Sequence, residues 1–167
     1  MSTASASAVA PDITFEHIMQ LIPQAYRRID NPIPEDVVRT ALSECSPVLF
    51  NQVVTVPYKV GAVNNILLSL VSYGLCDTAL HFLHRFNDDI INFETQETFE
   101  THGGDVALHY ALDFNHIPLA LALIERMTPE AIQTVAPGRR SGETTALEIA
   151  TNKEMTDVIE AIKEKLI

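Results

Sequence analysis

The sequence predicts an all-α helix–turn–helix solenoid of about four repeats, with β-hairpin-like fingers between units. Three observations carry that prediction. The chain matches itself at a shift of 41 residues, which brings "SPVLFNQV" (Ser46 to Val53), "NDDIINFE" (Asn87 to Glu94) and "TPEAIQTV" (Thr128 to Val135) into register. A largely apolar helix face recurs at the same shift. It reads Val37-Val38-x-x-Ala41-Leu42, Thr78-Ala79-x-x-Phe82-Leu83, Leu119-Ala120-x-x-Leu123-Ile124 and, a step of 39 further, Val158-Ile159-x-x-Ile162. Positions i, i+1, i+4 and i+5 are one side of a buried helix. Finally, Leu67, Leu108 and Leu147 head another helix at those spacings. A single helix pair cannot bury its own apolar face, so copies at a fixed period must stack.

In chain order, residues 1–12 read as a disordered leader. "MSTASASAVA" has neither the basic start nor the apolar run of a signal peptide. Residues 13–167 form one domain, in units of about 14–57, 58–98, 99–139 and 140–167. Each of the first three units ends its helix pair with a short capped turn. Ser46, Asn87 or Thr128 takes the capping position, where a side-chain oxygen accepts a backbone N–H, and Pro47, Asp88 or Pro129 starts the turn. The fingers follow: "VVTVPYKVG", "FETQETFETHGG" and "VAPGRRSGE", whose β-branched and aromatic residues punctuated by Pro or Gly suggest hairpins. Unit 1 and the final "TNKEMTDVIEAIKEKLI" act as end caps, the latter through a polar outer face. The expected core holds Leu67, Leu70, Leu108, Ala111, Leu119, Leu123, Leu147, Ala150, Val158 and Ile162.

Composition narrows the function. A 47% hydrophobic chain of 167 residues can build a real core. A net charge of -11 disfavours nucleic acid, phosphate groups and anionic membrane as partners. The longest apolar run, Ile117 to Ile124, is eight residues, far below the roughly 20 a membrane helix needs. Two cysteines, Cys45 and Cys76, do not make a disulfide framework and fit a reducing compartment.

The segment "GGDVALHYALDFNHIPLALALIE" (Gly103 to Glu125) resembles an ankyrin repeat, whose consensus reads roughly G-x-T-P-L-H-x-A-A-x-x-G-H-x-x-(V/I)-V-x-x-L-L. Gly104, Leu108, His109, Ala111, His116, Leu119, Leu123 and Ile124 stand at matching positions, with Val106-Ala107 for the Thr-Pro pair and Asn115 for the turn glycine. "GETTALEIA" (Gly142 to Ala150) is a second copy with Glu148 in the histidine's place, "ILLSLVSYGL" (Ile66 to Leu75) keeps Leu67 and Gly74, and unit 1 matches only in its second helix. The units exceed the family's period of roughly 33 residues by about six to eight, the excess lying in the fingers.

Six histidines invite a metal or hydrolytic reading, with His81, His84 and His102 as its residues. Zinc wants three or four converging ligands, and the family places histidines like His109 and His116 where they hydrogen-bond between loops and helices. No G-x-S-x-G, P-loop or cysteine–histidine arrangement is present. The expectation is therefore no enzyme, no cofactor and no metal. The resemblance implies a cytoplasmic, monomeric protein–protein interaction module that binds another protein through a concave groove and the fingers. On the family's pattern that groove receives Asn64, Ser72, Tyr73, Asp105, Asp113 and Phe114. The second finger adds Glu97, Phe99 and Glu100 as an acidic tip, and no Lys or Arg lies between Arg85 and Arg126. A partner with a basic segment fits that charge; a solvated acidic loop is the plainer account. A competing reading starts from the likeness to arrays in effectors that intracellular bacteria deliver into host cytosol. The chain is then a targeting module whose catalytic domain lies elsewhere.

Overall fold

The computed structural model describes residues 13–26, 30–55, 63–95, 104–139 and 142–167, which are mostly helical with two short antiparallel hairpins. The expected leader at 1–12 lies outside the described residues. Helix α1 (Phe15–Gln24) is followed by α2 (Glu35–Glu44) and the single turn α3 (Pro47–Phe50). Strand β1 (Val54–Thr55) pairs with β2 (Val63–Asn64), Val54 opposite Asn64. Then come α4 (Ile66–Ser72), α5 (Cys76–Phe82) running into a 3-10 turn at Leu83–Arg85, and α6 (Asp88–Ile91). The next set is α7 (Ala107–Asp113), α8 (Ile117–Arg126) and α9 (Pro129–Ile132). Strands β3 (Val135–Arg139) and β4 (Gly142–Thr145) form the second hairpin, and α10 (Ala146–Asn152) and α11 (Thr156–Lys165) complete the described chain.

Helix α1 packs on α4, α4 on α7 and α7 on α10, while α5 packs on α8 and α8 on α11. Two rows of helices result, the first helix of each pair in one row and the second in the other. Local chemistry sets each joint. Within the helix pairs, the connecting turn needs a left-handed residue, and Gly74 (φ +76°), Asn115 (φ +56°) and Glu154 (φ +55°) supply it at steps of 41 and 39. The N-terminus of the first helix needs acceptors for orphan N–H groups. Asn65 Oδ1 accepts from Leu68 N at 2.9 Å. In α10, Glu148 accepts from Thr145 N at 2.8 Å, and Thr145 Oγ1 accepts from Glu148 N at 3.3 Å. In α7 the capping residue is Val106, and His109 Nδ1 takes its N–H at 3.2 Å.

Two expectations are corrected. Asn87 and Thr128 cap their short helices through the side chain, but Ser46 does not. The Leu49 N–H it would receive goes to the Ser46 carbonyl at 3.1 Å. Of the expected core, Leu147 is only half-buried, whereas its register mates Leu67 and Leu108 are fully buried. Among the described residues α10 packs on α7 on one side, and no helix covers the other side of Leu147. In unit 1, α1, capped by Thr14, buries Phe15, Ile18 and Ile22.

Polar side chains bind unit to unit in the same register. Arg85 donates to the carbonyls of Leu42 (3.1 Å) and Cys45 (2.6 Å), Arg126 to those of Leu83 and Phe86 (2.8 Å each), and Lys165 to that of Glu125 (2.8 Å). Each cation satisfies carbonyls at the C-terminal end of the preceding second helix, the negative end of its dipole. Asn51 and Asn92 make a second ladder, accepting the backbone N–H of Asn87 and Thr128 at 2.7 Å. The outer faces drop these features. Glu44 replaces the cation in unit 1, and Val37 is 44% exposed where Thr78, Leu119 and Val158 are buried. In α11, Glu160 and Lys163 stand where α8 has Leu121 and Ile124. Glu44, Glu160 and Lys163 are exposed, so the outer faces of α2 and α11 carry charge at these positions.

Candidate recognition surface

The turns between paired helices carry a row of side chains, each reaching back over the preceding turn. Tyr73 meets Tyr26 edge-on, ring centroids 5.7 Å apart at 70°. Phe114 lies over Gly74, where an added Cβ would sit 2.9 Å from its ring; glycine at 74 is needed for this space as well as for its positive φ. Lys153 extends over the third turn, donating to the Asp113 carbonyl and to Asn115 Oδ1, both at 2.8 Å. These three residues occupy one register position. Tyr73 is half-buried against the core, and Phe114 remains 39% exposed.

The other expected residues distribute as follows. Asp113 is exposed beside Phe114, and Ser72 is half-buried, donating to the Ser69 carbonyl at 3.1 Å. Asp105 is half-buried at the base of the second finger, where Thr95 N donates to its carbonyl and Gly104 N to that of Thr95, both at 2.8 Å. Its Oδ2 accepts from Tyr110 Oη at 3.4 Å. Asn64 falls in β2, but its side chain, like all of Glu97, Phe99, Glu100 and His102, lies outside the described residues. The structure therefore brings Tyr73, Asp113 and Phe114 to the turn row and Asp105 to the adjoining finger base.

The sequence reading missed Tyr26 and Tyr110. Tyr110 is four residues before Phe114 on α7 and shares its helix face. That i, i+4 spacing was the available signal. Tyr26 follows α1, whose register is not repetitive, so no comparable signal marked it.

The histidines are engaged locally. His109 is fully buried, and its Nδ1 accepts from Val106 N. His116 Nδ1 accepts from Leu119 N at 3.2 Å, which puts the proton on Nε2, 3.0 Å from Asp77 Oδ1 of the preceding unit. His81 stands edge-on to Phe82 at 4.7 Å, and His84 is exposed. Among the described residues no three His, Cys, Asp or Glu side chains are grouped to hold a metal, and no helix is long and apolar enough to cross a membrane. Both cysteines are buried free thiols; burial, reinforced by Asp77 and Glu35, pushes the Cys76 thiol up to about 11.

No protein-family model, curated protein or solved structure matches the chain.

Proposed function

We propose that the chain is an ankyrin-type protein-recognition module that binds a partner protein along the turn row and its first-helix face, without catalysis. The observation that carries this reading is Phe114. It is an aromatic ring 39% exposed beside an exposed carboxylate, held over Gly74 by a backbone that admits no other residue there without strain. Rigidly seated aromatics edged by polar groups are what recognition hot spots are made of. The ankyrin assignment is supported by the left-handed turn residues in register and by the acceptor that His109 and Glu148 supply to the capping N–H. The recognition reading also agrees with the use of His109 and His116 as backbone acceptors.

Affinity capture from cell lysates with identification by mass spectrometry tests the proposal. Phe114→Ala and Val48→Ser, the latter at a 75% exposed position on α3, are compared with wild type at matched stability. A protein retained by wild type and Val48→Ser but lost by Phe114→Ala is the expected result. Equal capture by all three would place recognition away from the turn row, and no captured protein in any lysate would overturn the reading.

A further inference from the structure

The structure assigns to the last turn, Asn152 to Glu154, a seat for the ammonium group of a lysine from the partner protein. This rests on the recognition reading above and specifies the chemistry of one contact. The seat is already used once within the fold. In the third turn, the Asp113 carbonyl and the Asn115 side-chain oxygen hold the Lys153 ammonium, each at 2.8 Å. A step of 39 carries Asp113 to Asn152 and Asn115 to Glu154. The backbone repeats with it, since Asn115 and Glu154 have φ of +56° and +55°. The last turn thus offers the same carbonyl, with a carboxylate where the third turn has a neutral amide. A charged acceptor binds an ammonium more strongly than a neutral one.

Two further observations favour an incoming lysine. Asn152 and Glu154 are both exposed, and among the described residues no cation bonds the Asn152 carbonyl or the Glu154 carboxylate. Glutamate is also a poor choice for a left-handed turn, where the second unit has glycine and the third asparagine. A side chain kept in such a conformation at a ligand clamp is a familiar arrangement. The turn row then reads in order as aromatic, aromatic, lysine and lysine seat, and the partner supplies the lysine of the last step.

The test uses the whole chain and a fluorescent probe peptide, acetyl-Gly-Lys-Gly-Gly-Lys-Gly-Gly-Lys-amide, with its fully Nε-acetylated form as control. Glu154→Gly removes the carboxylate and relieves the turn, so lost binding cannot come from unfolding. Glu164→Gln, on the exposed side of α11, makes the same change in charge. The expected result is about a two- to fivefold loss of lysine-peptide affinity for Glu154→Gly with a raised melting temperature, no loss for Glu164→Gln, and no binding of the acetylated peptide. Equal affinity of Glu154→Gly and wild type, or equal losses in both variants, would overturn the seat. A partner captured by wild type and lost by Phe114→Ala but retained by Glu154→Gly would leave the recognition reading standing and the seat refuted.

Discussion

Replacing Arg126 by methionine should destabilise the fold by about 3 kcal/mol, mostly through backbone carbonyls of a different unit. The guanidinium donates to the Leu83 and Phe86 carbonyls at 2.8 Å each and to Asp88 Oδ1 at 2.7 Å. Hydrogen bonds from a charged donor contribute roughly 1.5–3 kcal/mol each when well buried. Arg126 is 30% exposed, so water can reach part of what it leaves behind, and the low end applies to both carbonyl bonds. The Asp88 contact adds little, because that carboxylate is 73% exposed and exposed ion pairs contribute about 0–1 kcal/mol. Methionine preserves the aliphatic stem, so packing loss is small. Urea denaturation read from far-ultraviolet circular dichroism gives the comparison. Asp88→Asn should cost less than about 0.5 kcal/mol, and Arg126→Lys should fall between the two variants. A loss below about 0.5 kcal/mol for Arg126→Met would refute carbonyl capping as a bond between units. A loss matched by Asp88→Asn would assign the effect to the ion pair instead.

Other expectations follow from the same geometry. Leu108→Ala, at a fully buried position, should cost about 2–5 kcal/mol in the same assay, and a value near zero would break the repeat register. Gly74→Ala should destabilise by about 1–2 kcal/mol from its left-handed conformation alone, with the approach of the Phe114 ring adding to it. Glu154→Gly should do the reverse and stabilise by about 0.5–1 kcal/mol, seen as a rise of roughly 1–4 °C in melting temperature. Hydrogen bonds from the Thr145 N–H and hydroxyl hold the Glu148 carboxyl below its ordinary value of 4.5. A depressed carboxyl contributes stability that is complete above its unfolded value and lost as pH falls through the folded one. The stability difference between wild type and Glu148→Gln should thus be constant above about pH 5 and shrink below it; a difference independent of pH would exclude the carboxylate as the capping group.

The parts legible in the sequence were those set by short-range chemistry repeated at a period. The capping positions at 87 and 128, the turn at Asn115 and the faces around Leu67 and Leu108 each follow from local rules on hydrogen bonding, φ and helix spacing. What stayed hidden depends on the neighbour. Arg85, Arg126 and Lys165 stand at the ends of helices, where a cation is already expected for the dipole of its own helix, so nothing local says they reach into the preceding one. Comparison along the period would have revealed them, together with Glu44 as the exception. Tyr73 and Phe114 share a position, each the C-cap of the first helix of its pair. Their unequal exposure comes from what lies beneath each ring, Tyr26 in one case and Gly74 in the other.

The same reasoning decides what the histidines do. The third residue of the first helix is His109 in one unit and Glu148 in another, and both accept the N–H of the capping residue. At this position the histidine and the glutamate do the same work, each a side-chain acceptor that reaches the capping N–H. Metal ligation by His109 through Nδ1 would strip Val106 of that acceptor at the buried start of α7, and ligation by His116 through Nδ1 would do the same to Leu119. Each would leave a backbone donor unsatisfied, a cost of about 1–3 kcal/mol for a buried group. The spacing of seven between the two histidines therefore follows from helix geometry: one caps the start of α7 and the other the start of α8.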